Sequence, residues 1–333
     1  MAQKLQQLQD LRGIAILLVV MYHASLIFGY TQFKHGGMGV SLFFTISGFV
    51  IAYVHAKDRG ADAAILFAKK RVARIYAPYL LPFVAILVLF WLTNTGSDYH
   101  RDPTNIAKNF LLVQKPSQSI HPYAWSLVYE IFYYITFCVG VILLRLPILI
   151  YSTILSIPPI FHIAHQTDVD ALYLSSNNLY FVFGAIAGHY YNLVRLRIPK
   201  IMVAISGLAF IICPYLTNSN VLRLLFTATF FICYLRSQTS SKIVNRIGAA
   251  SYSIYLTHAL VVPTAKHILP AAYAPISFAV VVAACLGFGL IYHHVIEIRS
   301  VEKFGQFLAQ PKSRKKLFFK SPDQRTPCGK REE

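Results

Sequence analysis

Apolar residues run through this chain in long blocks, and the polar residues gather between them. Ten blocks stand out: 13–30, 37–55, 75–93, 125–144, 146–164, 174–194, 201–217, 221–236, 247–264 and 274–297. A bilayer crossing takes about 20 apolar residues, and in lipid the backbone must bond to itself. Each block therefore predicts a spanning helix, and the pattern is that of an all-α integral membrane protein with about ten transmembrane helices. The division between the fourth and fifth blocks rests on Arg145 and Pro147, and one bent segment is the alternative there.

Composition agrees with the pattern. Of 333 residues, 56% are hydrophobic and only 13% are Asp, Glu, Lys or Arg. Soluble domains average about 25% charged residues, so a soluble fold is excluded. The five cysteines, Cys138, Cys213, Cys233, Cys285 and Cys328, form no CxxC pair, which argues against a disulfide framework or a metal site. Leu11–Tyr30 is too long for the core of a cleavable signal, and no small-residue cleavage site follows.

The net charge of +18 would suit nucleic acid, but its distribution does not. With both termini in the cytoplasm, 25 of the 31 lysines and arginines fall on the inner side of the ten predicted crossings. That is the positive-inside pattern of a membrane protein. Residues 1–300 read as one membrane domain, and 301–333 as a basic, flexible cytoplasmic tail near anionic lipid. The longest outer loop, Thr93–Ala124, is long enough to fold over a site entrance.

Candidate chemistry lies inside the apolar blocks. Eleven residues separate Arg12 from His23. At about 100° each they turn through about 1100°, close to three full turns, so both share one helix face about 16 Å apart. A histidine at membrane depth is costly without a role. Arg71-Val-Ala-Arg74 opens the third block, and its i, i+3 spacing makes a forked clamp for phosphate. Trp125-Ser-Leu-Val-Tyr-Glu130 puts Ser126 and Glu130 one turn apart, with the carboxylate inside an apolar run. Ser251, Tyr255 and His258 form a polar stripe at i, i+4 and i+7. In Gly36–Phe49 the glycines permit close helix approach, and Ser47 is a candidate cavity wall. For each group the plainer reading is a tie between helices or a positive-inside cation.

The strings LRGIAILLVVMYH, GGMGVSLFFTISGFVI, KKRVARIYAPY, WSLVYEIFYY and GAASYSIYLTH, in this order across residues 11–258, resemble the type-3 acyltransferase family of bacterial membrane acyltransferases. WSLVYEIFYY is most similar to members that decorate exopolysaccharides and lipid-linked sugars. The resemblance implies a ten-helix protein of the bacterial inner membrane. It implies transfer of an acyl group, most simply acetyl, from acyl-CoA to a hydroxyl of a cell-surface or lipid-linked carbohydrate. It implies acyl-CoA as co-substrate and no permanently bound cofactor. The family's essential Arg-x10-His pair lands on Arg12 and His23, and its donor-linked Arg-x-x-Arg on Arg71 and Arg74. Ser41 stands where the family commonly has an acidic residue. Glu297-Ile-Arg replaces a frequent Glu-Arg-Pro, which leaves Glu297 without an expected role.

On this reading Arg12, Arg71 and Arg74 take the phosphates of acyl-CoA at the cytoplasmic helix ends, and the thin pantetheine arm runs between helices toward His23. His23 is the expected general base, a role worth about 10²–10⁴-fold. Glu130 is expected to orient an imidazole or stabilise its charge. An acyl-histidine relay is the variant. Trp125, Ser126, Ser47, Tyr255 and His258 are the expected acceptor contacts. Expected partners are acyl-CoA, a carbohydrate and membrane lipid, with no nucleic acid. The alternative is a transporter or flippase of a lipid-linked saccharide, since membrane His, Glu and Arg also serve proton relays. The sequence has no inverted repeat or paired broken helices to support it. A scaffolding role in polysaccharide assembly leaves the two same-face pairs unexplained.

Overall fold

The computed structural model describes residues 2–33, 35–93, 96–165, 171–194, 196–268 and 274–308. Among them the regular structure is helical, with no strand. The helices in chain order are α1 (Ala2–Phe28), α2 (Met38–His55), α3 (Ala61–Leu92), α4 (Pro103–Phe110), α5 (Trp125–Phe137), α6 (Ile148–His165), α7 (Asn177–Tyr190), α8 (Lys200–Leu216), α9 (Asn220–Arg236), α10 (Lys242–Ala249), α11 (Ser251–Ile268), α12 (Ala274–Tyr292) and α13 (Ile298–Leu308). A helix occupies each of the ten apolar blocks. Six helical stretches are long and apolar enough to cross a membrane: Gln6–Phe28, Met38–His55, Ala61–Leu92, Trp125–Leu143, Ile148–His165 and Pro275–Leu308. Their lipid-length apolar runs make the chain a multi-pass membrane protein.

One expectation needs adjustment. The third helix begins at Ala61, not near residue 75, so Arg71 and Arg74 lie well inside it rather than at its opening. The uninterrupted apolar stretch starts only after Arg74, but the mixed segment before it is equally helical. The uncertain fourth and fifth blocks are two separate helices. α5 ends in a π-helical turn, Cys138–Leu143, and Arg145 adopts φ 59° before α6 folds back. The Thr136 and Tyr151 hydroxyls meet at 3.0 Å across that hairpin. Of the proposed tail 301–333, residues 301–308 belong to helix α13, and 309–333 lie outside the described residues.

Small residues set the closest helix crossings. α2 and α7 pack along their lengths. A Cβ added at Gly184 would sit 2.1 Å from the Thr45 carbonyl oxygen, and one at Gly48 would sit 2.1 Å from that of Phe181. Only glycine admits such backbone contact. Around this pair α1 is central, touching α2, α10, α11 and α12.

The loop from 96 to 124 folds inward. Asp102 caps α4 by accepting from the Asn105 N–H at 2.9 Å. Asn109 is fully buried and organises the rest: its side-chain oxygen accepts from the Ile120 N–H at 2.7 Å, and its carbonyl accepts from Tyr79 at 3.0 Å. His121 Nε2 lies 3.1 Å from the Leu256 carbonyl of α11, and burial pushes its ring pKa down to about 4. The segment thereby delivers Tyr123 between α1 and α11.

Candidate functional site

Five helices surround one cavity, which encloses about 820 Å³ with its open mouth included. α1 contributes Arg12, α2 Ser47, α3 Arg71 and Arg74, α5 Ser126 and Glu130, and α11 Tyr255. These residues belong to five separate sequence motifs, and the fold brings them together. Phe43, Phe44, Ile46, Val50 and Ile75 line the apolar remainder.

Glu130 is held by neutral donors. Ser47 Oγ–H donates to its Oε1 at 3.1 Å, and the Tyr134 hydroxyl, one turn along α5, donates to the same oxygen. Arg71 lies over the Phe67 and Tyr134 rings at 5.8 and 5.6 Å, and its buried Nε–H has no partner among the described residues. Arg74 is paired differently: it donates to Glu297 and lies 5.2 Å from the Tyr252 ring. The three guanidiniums outnumber the two carboxylates, so the polar wall carries a net positive charge. That wall suits a multiply anionic ligand, and arginine matches phosphate through paired donors.

Glu297 was missed by sequence reasoning. It is 1% exposed. It binds Arg74 through one oxygen, while its other oxygen accepts from Ser253 at 2.6 Å and pairs with His293 at 2.7 Å. The π-helical turn His293–Glu297 between α12 and α13 carries both its residues. The signal was present, because a carboxylate at the end of an apolar block needs a partner for the same reason that Glu130 does. Its departure from the family spelling hid it.

His23 and His258 form a second centre. Neither lines the cavity. His258 Nε2 is 3.2 Å from His23 Nδ1, and His258 Nδ1 is 3.1 Å from the Ile254 carbonyl. Tyr123, from the segment between α4 and α5, stacks on His258 at 4.1 Å and 9°, with the His23 ring 4.0 Å from its centre. Tyr255 links the two centres: its ring lines the cavity and lies 5.6 Å from that of His258. Its single hydroxyl proton goes to the Tyr123 carbonyl at 2.8 Å, so Ser126 is the donor in the 2.7 Å contact with Tyr255. Tyr123 and His121 carried no motif and were not foreseen. Trp125 does not line the cavity; it packs against Phe44 and Tyr129. No group of three metal-ligating side chains occurs among the described residues.

A family model described as "Acyltransferase domain" matches residues 7–293. A segment of 111 residues is 35% identical to "Protein 2 in picA locus" of Rhizobium radiobacter, covering 30% of this chain and 57% of that protein. A segment of 109 residues is 33% identical to "Acyltransferase MdmB" of Streptomyces mycarofaciens, covering 31% of this chain and 27% of that protein. No solved structure matches the chain.

Proposed function

The chain belongs to the acyltransferase-domain family, and from that premise we propose that it is a membrane O-acyltransferase. It moves an acyl group, acetyl in the simplest case, from acyl-CoA to a hydroxyl of a cell-surface or lipid-linked carbohydrate. It sits in a bacterial inner membrane with ten crossings and both termini in the cytoplasm. Arg12, Arg71 and Arg74 hold the phosphates of the donor. The pantetheine arm follows the apolar wall past Phe43 and Phe44, and the thioester reaches the Tyr255 end of the cavity.

There His23 acts as general base. The acceptor hydroxyl oxygen attacks the thioester carbonyl as its proton passes to the imidazole. The carbon–oxygen bond forms, the carbon–sulfur bond breaks, and the imidazolium returns the proton to the departing thiolate. Ester and free CoA are the products. Glu130 keeps Ser47 and Tyr134 fixed on the cavity wall and offsets part of the arginine charge.

The observation that carries this reading is the arginine-walled cavity whose lining residue Tyr255 adjoins His258 of the His23–His258 pair. The test is release of free CoA from acetyl-CoA by the purified protein, with and without carbohydrate extracted from the producing cells. Release that depends on the carbohydrate supports the reading. Absence of acyl transfer to any cell-surface carbohydrate, seen as identical polysaccharide masses with and without the protein, contradicts it.

A further inference from the structure

The histidine pair fixes more than proximity. A neutral imidazole carries one ring proton, on either nitrogen, and its partners decide which. His258 is fully buried, and the ion pairs among the described residues, His55–Asp58, Arg74–Glu297 and His293–Glu297, do not include it. An uncompensated charge there is costly, so the ring is the neutral form. Its Nδ1 faces the Ile254 carbonyl at 3.1 Å, which can only accept. The proton of His258 therefore sits on Nδ1, and its Nε2 carries a lone pair.

That lone pair faces His23 Nδ1 at 3.2 Å. Only a proton on His23 Nδ1 makes this a hydrogen bond. His23 Nε2 is then the unprotonated nitrogen. We propose that His258 is a positioning residue that holds His23 in the Nδ1–H tautomer, leaving Nε2 as the basic atom. This rests on the reading of His23 as the general base and replaces the expectation that His258 contacts the acceptor. The donor chain runs from His23 Nδ1–H to His258 Nε2 and from His258 Nδ1–H to the Ile254 carbonyl.

Two further contacts lock the rings. Tyr123 lies nearly parallel to His258, which keeps the His258 plane from turning its Nε2 away. The Tyr123 backbone is in turn tied to α11 by the Tyr255 hydroxyl. When His23 takes the hydroxyl proton on Nε2, its Nδ1–H is already directed at a lone pair, so the imidazolium is stabilised without reorientation. The proton then leaves from Nε2 to the thiolate, and the tautomer is restored.

The test is the ¹⁵N spectrum of the histidine rings in the full-length protein in nanodiscs, with His23 assigned by the signal lost in His23→Gln. The expected wild-type pattern is a protonated Nδ1 and an unprotonated Nε2 on His23. The Val19 carbonyl, one turn back on α1, is a second acceptor at the His23 ring, so His258→Phe is expected to weaken that preference and to lower kcat about 10–100-fold, the usual scale for losing an orienting partner, with KM for acetyl-CoA unchanged. His258→Gln, whose amide oxygen can still accept from Nδ1–H, is expected to recover most of both. A wild-type His23 protonated on Nε2 would overturn the proposal, whatever the folding of the variants, and so would a His258→Phe protein with unchanged tautomer and kcat. Full activity of His23→Ala would sink the general-base role instead, and the spectrum separates the two failures.

Discussion

Arg74 and Arg71 stand one helical turn apart, yet their surroundings assign them different work. Arg74 is tied to the buried Glu297, which spends its remaining oxygen on Ser253 and His293. Removing one partner of such a pair leaves the other unsatisfied, at a cost of about 1–3 kcal/mol. Glu297→Gln is thus expected to lower the melting temperature by several degrees and to raise KM for the donor, because Arg74 is no longer held. A variant with unaltered melting and KM would remove Glu297 from the site. The Arg-x-x-Arg pair was legible because its spacing alone puts both residues on one face. The partner of Arg74 was not, because 223 residues separate it from Glu297 and only the tertiary packing of α3 against the His293–Glu297 turn and α13 joins them.

At the scale of elements, the α2–α7 crossing is set by backbone contact at Gly48 and Gly184. Gly184→Leu is expected to force the helices apart and to lose folded protein, since overpacking costs about 1–3 kcal/mol or more. Gly287, whose added Cβ meets nothing within 4 Å, is the control, and its Ala variant is expected to melt like wild type. The loop between α3 and α5 carries a pH signature. His121 has its folded pKa near 4 against an ordinary value of 6.5, so the folded loop prefers the neutral ring and the unfolded loop binds the proton more readily. Its contribution is present above about pH 6.5 and is lost as the pH falls toward 4. Limited proteolysis in 96–124 is expected to rise over that window, and His121→Gln is expected to flatten the rise. Unchanged cleavage from pH 7 to 4 would contradict it. The ten apolar blocks were legible because uninterrupted hydrophobicity is a strong local signal. The true start of α3 and the inward fold of the loop were not, because both depend on contacts with distant helices.

For the whole molecule, the proposed orientation sets the arginines of the cavity toward the cytoplasm, with the histidine pair deeper in the membrane. It predicts that cysteine replacing Lys57 or Lys242 is labelled only from the cytoplasmic side and cysteine replacing Lys108 only from the outside; the reverse pattern would contradict the proposed orientation. How much of the site could be read in advance follows from the same geometry. Arg12, Ser47, Arg71, Arg74, Ser126, Glu130 and Tyr255 converge because each lies on the inward face of its own helix, a property of spacing. That His23 adjoins the cavity through Tyr255 instead of lining it depends on helix crossing angles that spacing does not encode.

The most direct measurement is the steady-state kinetics of acetyl transfer for wild type, His23→Ala and Arg71→Gln under identical conditions. The expected result is a split: His23→Ala lowers kcat about 10²–10⁴-fold with KM for acetyl-CoA unchanged. Arg71→Gln raises that KM about 10–100-fold, the worth of one charge-assisted hydrogen bond, with little effect on kcat. Full turnover by His23→Ala, or an unaltered donor KM in Arg71→Gln, would contradict the account.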